Sequence, residues 1–378
     1  MSAGAGAPGA DPTAFMSSVL KRIATGPELS KDISREEARI GMQLVLDRRV
    51  DPVQAGVFLI ALRMKRETDE ENRGVLEAIR EATRHATASV DDVLDLADPY
   101  DGYNRTLPAA PFLPPVLAAC GVPAVSHGVE TMGPKHGVTH RQVLRAAGLP
   151  VDLAPEEAAA RVGDPRIGWA YVDQRASCPK LHELATLRTL IVKRPAITTT
   201  EVMTAPVRGR RRTHLVTGYV HKPYPRIYAL LARHAGFDSA LIVRGVEGGV
   251  VPSLIHTGKV YQYHDRGEEH STEFKPAELG IVQAVRAPRI PGVAAEEGSE
   301  EETRAAPLDN ARVAQAAADA GMAALAGERG ATRDAIIYGA ALCLWHLGRH
   351  ASLAAAADAA RHAIDGGGAL ERLRRMGG

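Results

Sequence analysis

Aromatic side chains make up only 4% of this 378-residue chain. So thin a supply argues against recognition of single-stranded nucleic acid by stacking, which needs rings on display. Cysteine is scarcer still: Cys120, Cys178 and Cys343 lie far apart and form no C-x-x-C pair. That leaves no disulfide framework and no structural zinc site, and it fits a reducing, cytoplasmic compartment. Ser177-Cys178-Pro179 could form a nucleophile turn, but no neighbouring signal supports one, and a half-buried thiol is the plainer expectation. Net charge is also missing: 46 basic residues against 45 acidic ones leave +1. No global field therefore draws the chain to nucleic acid or membrane, and any basic surface must be local. No apolar run approaches the roughly 18 residues of a membrane span. The opening stretch MSAGAGAPGADPTAF has neither the basic start nor the apolar core of a signal peptide, so residues 1–12 are expected to be a disordered tail.

What is present begins with helix signals. In ISREEARIGMQLVLDRR, Ser34 and Glu37 stand at capping-box spacing ahead of an apolar side carrying Ile40 and Leu44. DPVQAGVFLIALRMK offers Asp51 as N-cap and Pro52 at the first helical position. Thr68 and Glu71 repeat the capping-box spacing. A helical domain is expected over 13–88. From about residue 90 the texture changes to short β-type runs, near 93–97, 122–126, 168–172, 214–220 and 239–244. Between several of them lie helical runs such as 141–147, 181–193 and 225–235. Such alternation predicts an α/β domain over 89–378 with a mostly parallel sheet. HTGKVYQYHD (256–265) reads as a further strand, left unassigned to the main sheet. The acidic, aperiodic stretch 293–307 is expected to be a flexible insertion, and three helices close the chain.

DPYDGYNRTL (98–107) runs out of the first strand and stops before a helical run. Strand–loop–helix junctions of this kind hold phosphates, because the loop and helix N-terminus offer backbone N–H groups. This loop has a single Gly102, a Pro99 without an N–H and a bulky Tyr100. A second feature is VRGRRRTH (207–214), which puts Arg208, Arg210, Arg211, Arg212 and His214 into one short run, with Lys222 shortly after. These are candidate polyanion-binding residues, the alternative being a solvated loop.

The stretches LSKDISREEA, VDPVQAGVFLIALRMKRET, ACGVPAVSHG and FDSALIVRG, with the tail from TRDAIIYGAAL onward, are collinear over nearly the whole chain with one known family. They resemble the anthranilate phosphoribosyltransferases and their pyrimidine-nucleoside-phosphorylase relatives, glycosyl transferase family 3. The resemblance implies a small N-terminal all-helical domain plus a larger α/β domain of the nucleoside phosphorylase and phosphoribosyltransferase class. It further implies a substrate cleft between the two, a homodimer formed through the helical domain, and part of 180–205 returning to that domain. The activity it implies is pentosyl or phosphoribosyl transfer, with phosphoribosyl pyrophosphate (PRPP) as donor and Mg²⁺ as a possible cofactor.

Departures from the family pattern fall where the donor would bind. The G-T-G-G-D-G loop is DPYDGYN here, keeping Asp101-Gly102, and the N-I-S-T run becomes Pro108-Ala109-Ala110-Pro111, without a side-chain donor. The family's K-H-G is Ser126-His127-Gly128, and the paired magnesium carboxylates are reduced to Glu247-Gly248, a weak metal site. The phosphate- or substrate-binding residues that remain by resemblance are Asp101, Gly102, Asn104, Arg105, His127, Gly128, Lys135, His136, Thr139, Arg188 and Arg194. Arg188 matches the arginine that faces the aromatic acid, while His127 reads equally well as a satisfied core histidine. Two functions stay open. One is a divergent transferase for a phosphorylated small molecule, with an unnamed acceptor and without standard anthranilate activity. The other is a catalytically retired scaffold that binds nucleic acid or another polyanion through a basic cleft. YDGYNR and GVEGG resemble short motifs of a divergent branch for which nucleic-acid binding has been proposed.

Overall fold

The computed structural model describes residues 11–26, 28–293 and 309–377. The expected insertion at 293–307 lies outside these residues apart from Val293, as does the expected tail up to residue 10. Asp11 and Pro12, assigned above to that tail, open a helix instead: the Asp11 carboxylate accepts from the Thr13 and Ala14 amides. Four helices follow one another, α1 (Pro12–Ile23), α2 (Arg35–Leu46), α3 (Pro52–Lys65) and α4 (Asp69–Glu81). Both capping boxes form, Ser34 with Glu37 and Thr68 with Glu71, and Asp51 caps α3 ahead of Pro52. Each cap satisfies amides that the first turn would otherwise leave open, which is why the helices begin where the sequence says. Their apolar faces meet around Met16, Met42, Phe58, Leu59 and Ile79. Leu181, Leu184, Ala196 and Ile197 join the same core, so the 180–205 segment packs on the helices. That segment, expected to hold one helix over 181–193, is broken into Pro179–His182, Ala185–Ile191 and Ile197–Thr200, with Val192 in a left-handed conformation closing the second.

The larger part is a seven-stranded sheet of β1 (Asp92–Ala97), β2 (Ala124–Gly128), β3 (Trp169–Asp173), β4 (Arg212–Gly218), β5 (Ser239–Val243), β6 (Gly258–Tyr263) and β7 (His270–Phe274). The spatial order is β3-β2-β1-β4-β5-β6-β7. The first five are parallel and the last two antiparallel. The run at 256–265 thus belongs to the main sheet, and β7, whose residues face mostly outward, escapes the sequence reading. Val207 and Arg208 pair with Ala86 and Thr87 in a separate short ladder. Val93, Leu96, Phe112, Trp169 and Ile336 lie in the core formed with the flanking helices. Strand order reverses between β1 and β4, and in open parallel sheets the crevice at such a reversal, beyond the carboxyl ends of the strands, is where ligands sit. Here the helical part covers that end.

Candidate functional site

A cavity of about 260 Å³ lies in that crevice, bounded by the loops after β1 and β4, by α3 and by the 188–202 segment. Its lining joins Asp101, Lys135, Arg188, Arg194 and Glu247, all expected from the sequence, to Glu201. The loop after β1 is held open by backbone pairing. Gly137 N donates to the Asp101 carbonyl at 2.9 Å, and Tyr103 exchanges hydrogen bonds with Val138 at 2.9 and 2.7 Å. Gly102 has φ +74°, and a Cβ there would lie 2.6 Å from the Val138 carbonyl oxygen, so this close approach requires glycine.

The next amides of the loop meet a carboxylate of the protein itself. Glu247 Oε2 accepts from Asn104 N at 3.0 Å, while Oε1 accepts from Arg105 N at 3.1 Å and from Thr106 Oγ1 at 2.8 Å. Glu247 achieves this with φ +55°, a left-handed backbone that costs a non-glycine residue about 1–2 kcal/mol. Gly249 completes the fit, since a Cβ on it would lie 1.8 Å from the Tyr103 hydroxyl oxygen. YDGYNR and GVEGG are therefore two halves of one interlocked unit.

The cations of the cleft are matched in the same way. Arg188 and Glu201 form a bidentate pair at 2.6 and 2.8 Å, with side chains each only 1% exposed. Arg194 donates twice to Asp101, at 2.7 and 3.2 Å. Lys135 Nζ sits 3.5 Å from Asp101 and donates to the carbonyls of Gly102 and Glu247 at 3.1 and 2.9 Å. Both Glu247 oxygens are thus engaged, and among the described residues no group of three or more histidine, cysteine, aspartate or glutamate side chains is placed to hold a metal ion.

Tyr100 stands at the cavity wall and is itself buried. It turns inward, and its hydroxyl, kept protonated by burial, donates to His127 Nδ1. His127 Nε2 in turn donates to Asp95 at 2.7 Å, so His127 is the satisfied core histidine. Gly128 ends β2 against Tyr171 rather than in the cleft. Thr139 caps the helix His140–Ala146. His136 is exposed, its carbonyl accepting from Asn310 at 2.7 Å. Cys178, expected half-buried, is fully buried in the core of the helical part, and burial pushes its thiol pKa up.

The basic run is divided by the fold. Arg210, Arg211 and Arg212 sit at the amino end of β4, where Arg210 and Arg211 face Asp91 at 3.6 and 3.8 Å and Arg212 pairs with Asp92 at 3.1 Å. Arg208 is half-buried in the short ladder, and His214 is buried against Ser239. Lys222 follows the carboxyl end of β4, one strand length or about 20 Å away. No single patch forms, and the arginines do not face the cleft.

What the sequence reading missed, Tyr100 apart, is tyrosine. Tyr100, Tyr219, Tyr224 and Tyr228 line the cavity, four of the chain's nine tyrosines. Arg63 donates to the Tyr224 hydroxyl at 2.7 Å, and the Tyr224 and Tyr228 rings lie 6.0 Å apart. Three of these rings come from GYVHKPYPRIY alone, a cluster that a global 4% conceals. Beside this cavity a groove of about 390 Å³ is lined by Arg105, Arg244, His256 and Arg286, and it shares Tyr219 and Glu247 with the first.

A helical bundle set over the carboxyl end of a mostly parallel sheet, with paired charges in the crevice between, defines a helical-plus-α/β scaffold with a ligand-sized cleft. The chain belongs to the glycosyl transferase family, whose helical bundle domain matches residues 17–83 and whose a/b domain matches residues 104–370. It is 29% identical over 366 residues to the anthranilate phosphoribosyltransferase of Thermomicrobium roseum, spanning 96% of each chain. To that of Symbiobacterium thermophilum it is 28% identical over 367 residues, again 96% of each. The anthranilate phosphoribosyltransferase of Thermus thermophilus superposes with a TM-score of 0.70 at 21% identity, over 96% of this chain and 98% of that one. The Saccharomyces cerevisiae protein in complex with PRPP and Mg does so with 0.69 at 15% identity, over 96% and 97%. These last two likenesses concern the fold.

Proposed function

We propose that this protein is a divergent phosphoribosyltransferase-like member of its family, with an altered phosphate loop, that does not transfer phosphoribose from PRPP to anthranilate. Its cleft takes a phosphorylated aromatic small molecule, the ring among Tyr219, Tyr224 and Tyr228 and the phosphate toward Arg244 and Arg286. The observation that carries this reading is Glu247, whose carboxylate lies on the loop amides that a donor diphosphate would need. Glu201 stands against Arg188 in the same sense, as a built-in counterpart of an acceptor carboxylate. An incoming anion must displace a protein acid that is already desolvated and hydrogen-bonded, which is a steep competition. Magnesium does not fit this donor set either, since Glu247 has both oxygens turned to the loop while Asp101 and Glu201 are taken by Arg194 and Arg188. No step is assigned to a metal.

The test pairs an assay with a variant. With PRPP, Mg²⁺ and anthranilate, the natural protein releases no pyrophosphate above the blank. Glu247→Gly, which tolerates the left-handed backbone and removes the carboxylate, raises affinity for inorganic pyrophosphate at least about tenfold by calorimetry. Turnover by the natural protein would overturn the reading.

A second reading, a retired scaffold for nucleic acid, draws on the cleft rather than on the 207–214 run. Tyrosine rings beside Arg244 and Arg286 combine stacking faces with charge, which is what single strands require. Val53 and Met64 on α3, with Leu190 and Val192, are exposed apolar side chains that a homodimer through the helical domain would cover; molar mass by light scattering tests this. No helix among the described residues is long and apolar enough to cross a membrane, and three free thiols fit a cytoplasmic place, which localisation by fractionation would check.

A further inference from the structure

At the amino end of the sheet, opposite the cleft, lies a cavity of about 320 Å³ whose lining includes Asp92, His214, Ser239, Asp265, His346 and Arg349. Its wall is a hydrogen-bonded chain. Gln262 Oε1 accepts from His346 Nδ1 at 2.8 Å, His346 Nε2 accepts from Ser239 Oγ at 2.9 Å, and Ser239 Oγ accepts from His214 Nδ1 at 2.8 Å. Burial lowers the pKa of both histidines, so each ring carries one proton. With a single proton per ring and an acceptor at the Gln262 end, the chain runs one way and leaves the lone pair of His214 Nε2 on the cavity side. His214 is 8% exposed, and its Nε2 has no hydrogen-bond partner among the described residues.

Most charges around this nitrogen are already matched. Asp92 is held by Arg212 at 3.1 Å, and Asp238 by Arg266 and the Thr213 amide, both at 3.0 Å. Asp265 and Arg349, both exposed at the cavity, have neither a salt bridge nor a side-chain hydrogen bond among the described residues. What remain are one open anion, one open cation, the His214 Nε2 acceptor and the exposed His264 ring, whose Nε2 lies 2.8 Å from the His346 carbonyl oxygen. A simple anion entering here would face Asp265, and a simple cation would face Arg349. A molecule carrying both charges meets a partner for each.

We propose that this cavity is a second ligand site, for a small zwitterion of the α-amino-acid class. Arg349 takes the carboxylate, and Asp265 with His214 Nε2 takes the ammonium protons. The Ser239–His346–Gln262 chain fixes the tautomer that makes His214 an acceptor. The site is independent of the cleft, because the length of the sheet separates them.

Titrating the full-length protein with each of the twenty free L-amino acids by calorimetry tests this, with acetate and methylammonium as single-charge controls. At least one amino acid is expected to bind saturably at millimolar concentration or below, and both controls at least about tenfold more weakly. Arg349→Ala and Asp265→Asn, exposed positions where substitution leaves the fold intact by circular dichroism, should each weaken that binding at least about tenfold. No binding by any amino acid at about 10 mM, or binding that both variants retain, would overturn the proposal.

Discussion

The two ends of the sheet satisfy their buried polar groups by different means. Beyond the carboxyl ends of the strands, full charges are matched: Arg188 with Glu201, Arg194 with Asp101, and the Glu247 carboxylate with two amides and a hydroxyl. At the amino ends a neutral chain of His214, Ser239, His346 and Gln262 does the same work without a formal charge. The contrast bears on binding as well as stability. An anion drawn to the loop amides or to Arg188 would have to displace a protein carboxylate, whereas Asp265 and Arg349 at the amino end have no such partner among the described residues. It also sets which end is the more fragile. Removing one member of a charged pair strands its partner in a poorly solvated place, while cutting a neutral chain leaves only a hydroxyl or ring nitrogen unmet.

The largest expected effect follows from that asymmetry. Arg188→Ala leaves Glu201, 1% exposed, without its cation and should lower unfolding stability by about 3–5 kcal/mol in urea titration. Changing both partners, Arg188→Met with Glu201→Leu, should recover most of the loss, because two apolar side chains replace two charges of similar volume. Ser239→Ala, cutting the neutral chain, should cost no more than about 1–3 kcal/mol. If Arg188→Ala and Ser239→Ala prove equally damaging, the distinction between the two ends fails.

Much of the amino-terminal half is legible in the sequence. Caps at Ser34, Asp51 and Thr68 are local signals, read within four residues, and all three form. The parallel strands announce themselves by composition and spacing. The cleft is only half legible. Arg188, Arg194, Lys135 and Asp101 come from resemblance, and the fold does bring them to one cavity. Glu201, 13 residues from Arg188, does not show, and Glu247 shows only as a weak metal site and not as the acceptor of loop amides, because no periodicity records such contacts. Nor does the sequence show that Glu247 meets the amides of Asn104 and Arg105, since it supplies a side chain's bulk but not its direction. The arginine run misleads for a related reason: nothing in its sequence records that Arg210, Arg211 and Arg212 fall at the end of β4 opposite the cleft.

Acid separates the two ends more gently. Burial is the main cause lowering the pKa of His214, with Asp92 and Asp238 opposing it and Arg212 and Arg349 assisting. For His346, burial again leads, reinforced by His264, His214 and His270. Both folded-state values lie below the unfolded value of about 6.5. The stability these neutral rings support is therefore present above about pH 6.5 and is lost as pH falls below it, when the unfolded chain takes up protons that the folded one refuses. The slope approaches about 1.4 kcal/mol per pH unit for each histidine. Unfolding followed from pH 7 to pH 5 should show it, and His346→Gln should flatten it by removing one titrating ring. A profile unchanged by that substitution would place the acid sensitivity elsewhere.

The smallest effect is expected where the sequence draws most attention. Arg210 and Arg211 lie at the amino end, exposed, facing Asp91 at 3.6 and 3.8 Å. Such surface pairs contribute at most about 1 kcal/mol, and the double change to alanine should leave the melting temperature within error. It should also leave the affinity for a single-stranded oligonucleotide unaltered, measured by anisotropy at two salt concentrations. Arg244→Ala with Arg286→Ala, beside the cleft tyrosines, should instead lower any such affinity and reduce the slope of log K against log[salt] by about 1–2, as loss of two phosphate contacts requires. Should the Arg210 and Arg211 pair carry the salt slope and the groove carry none, nucleic acid would be meeting the amino end of the sheet, and the cleft would lose its claim as the binding face.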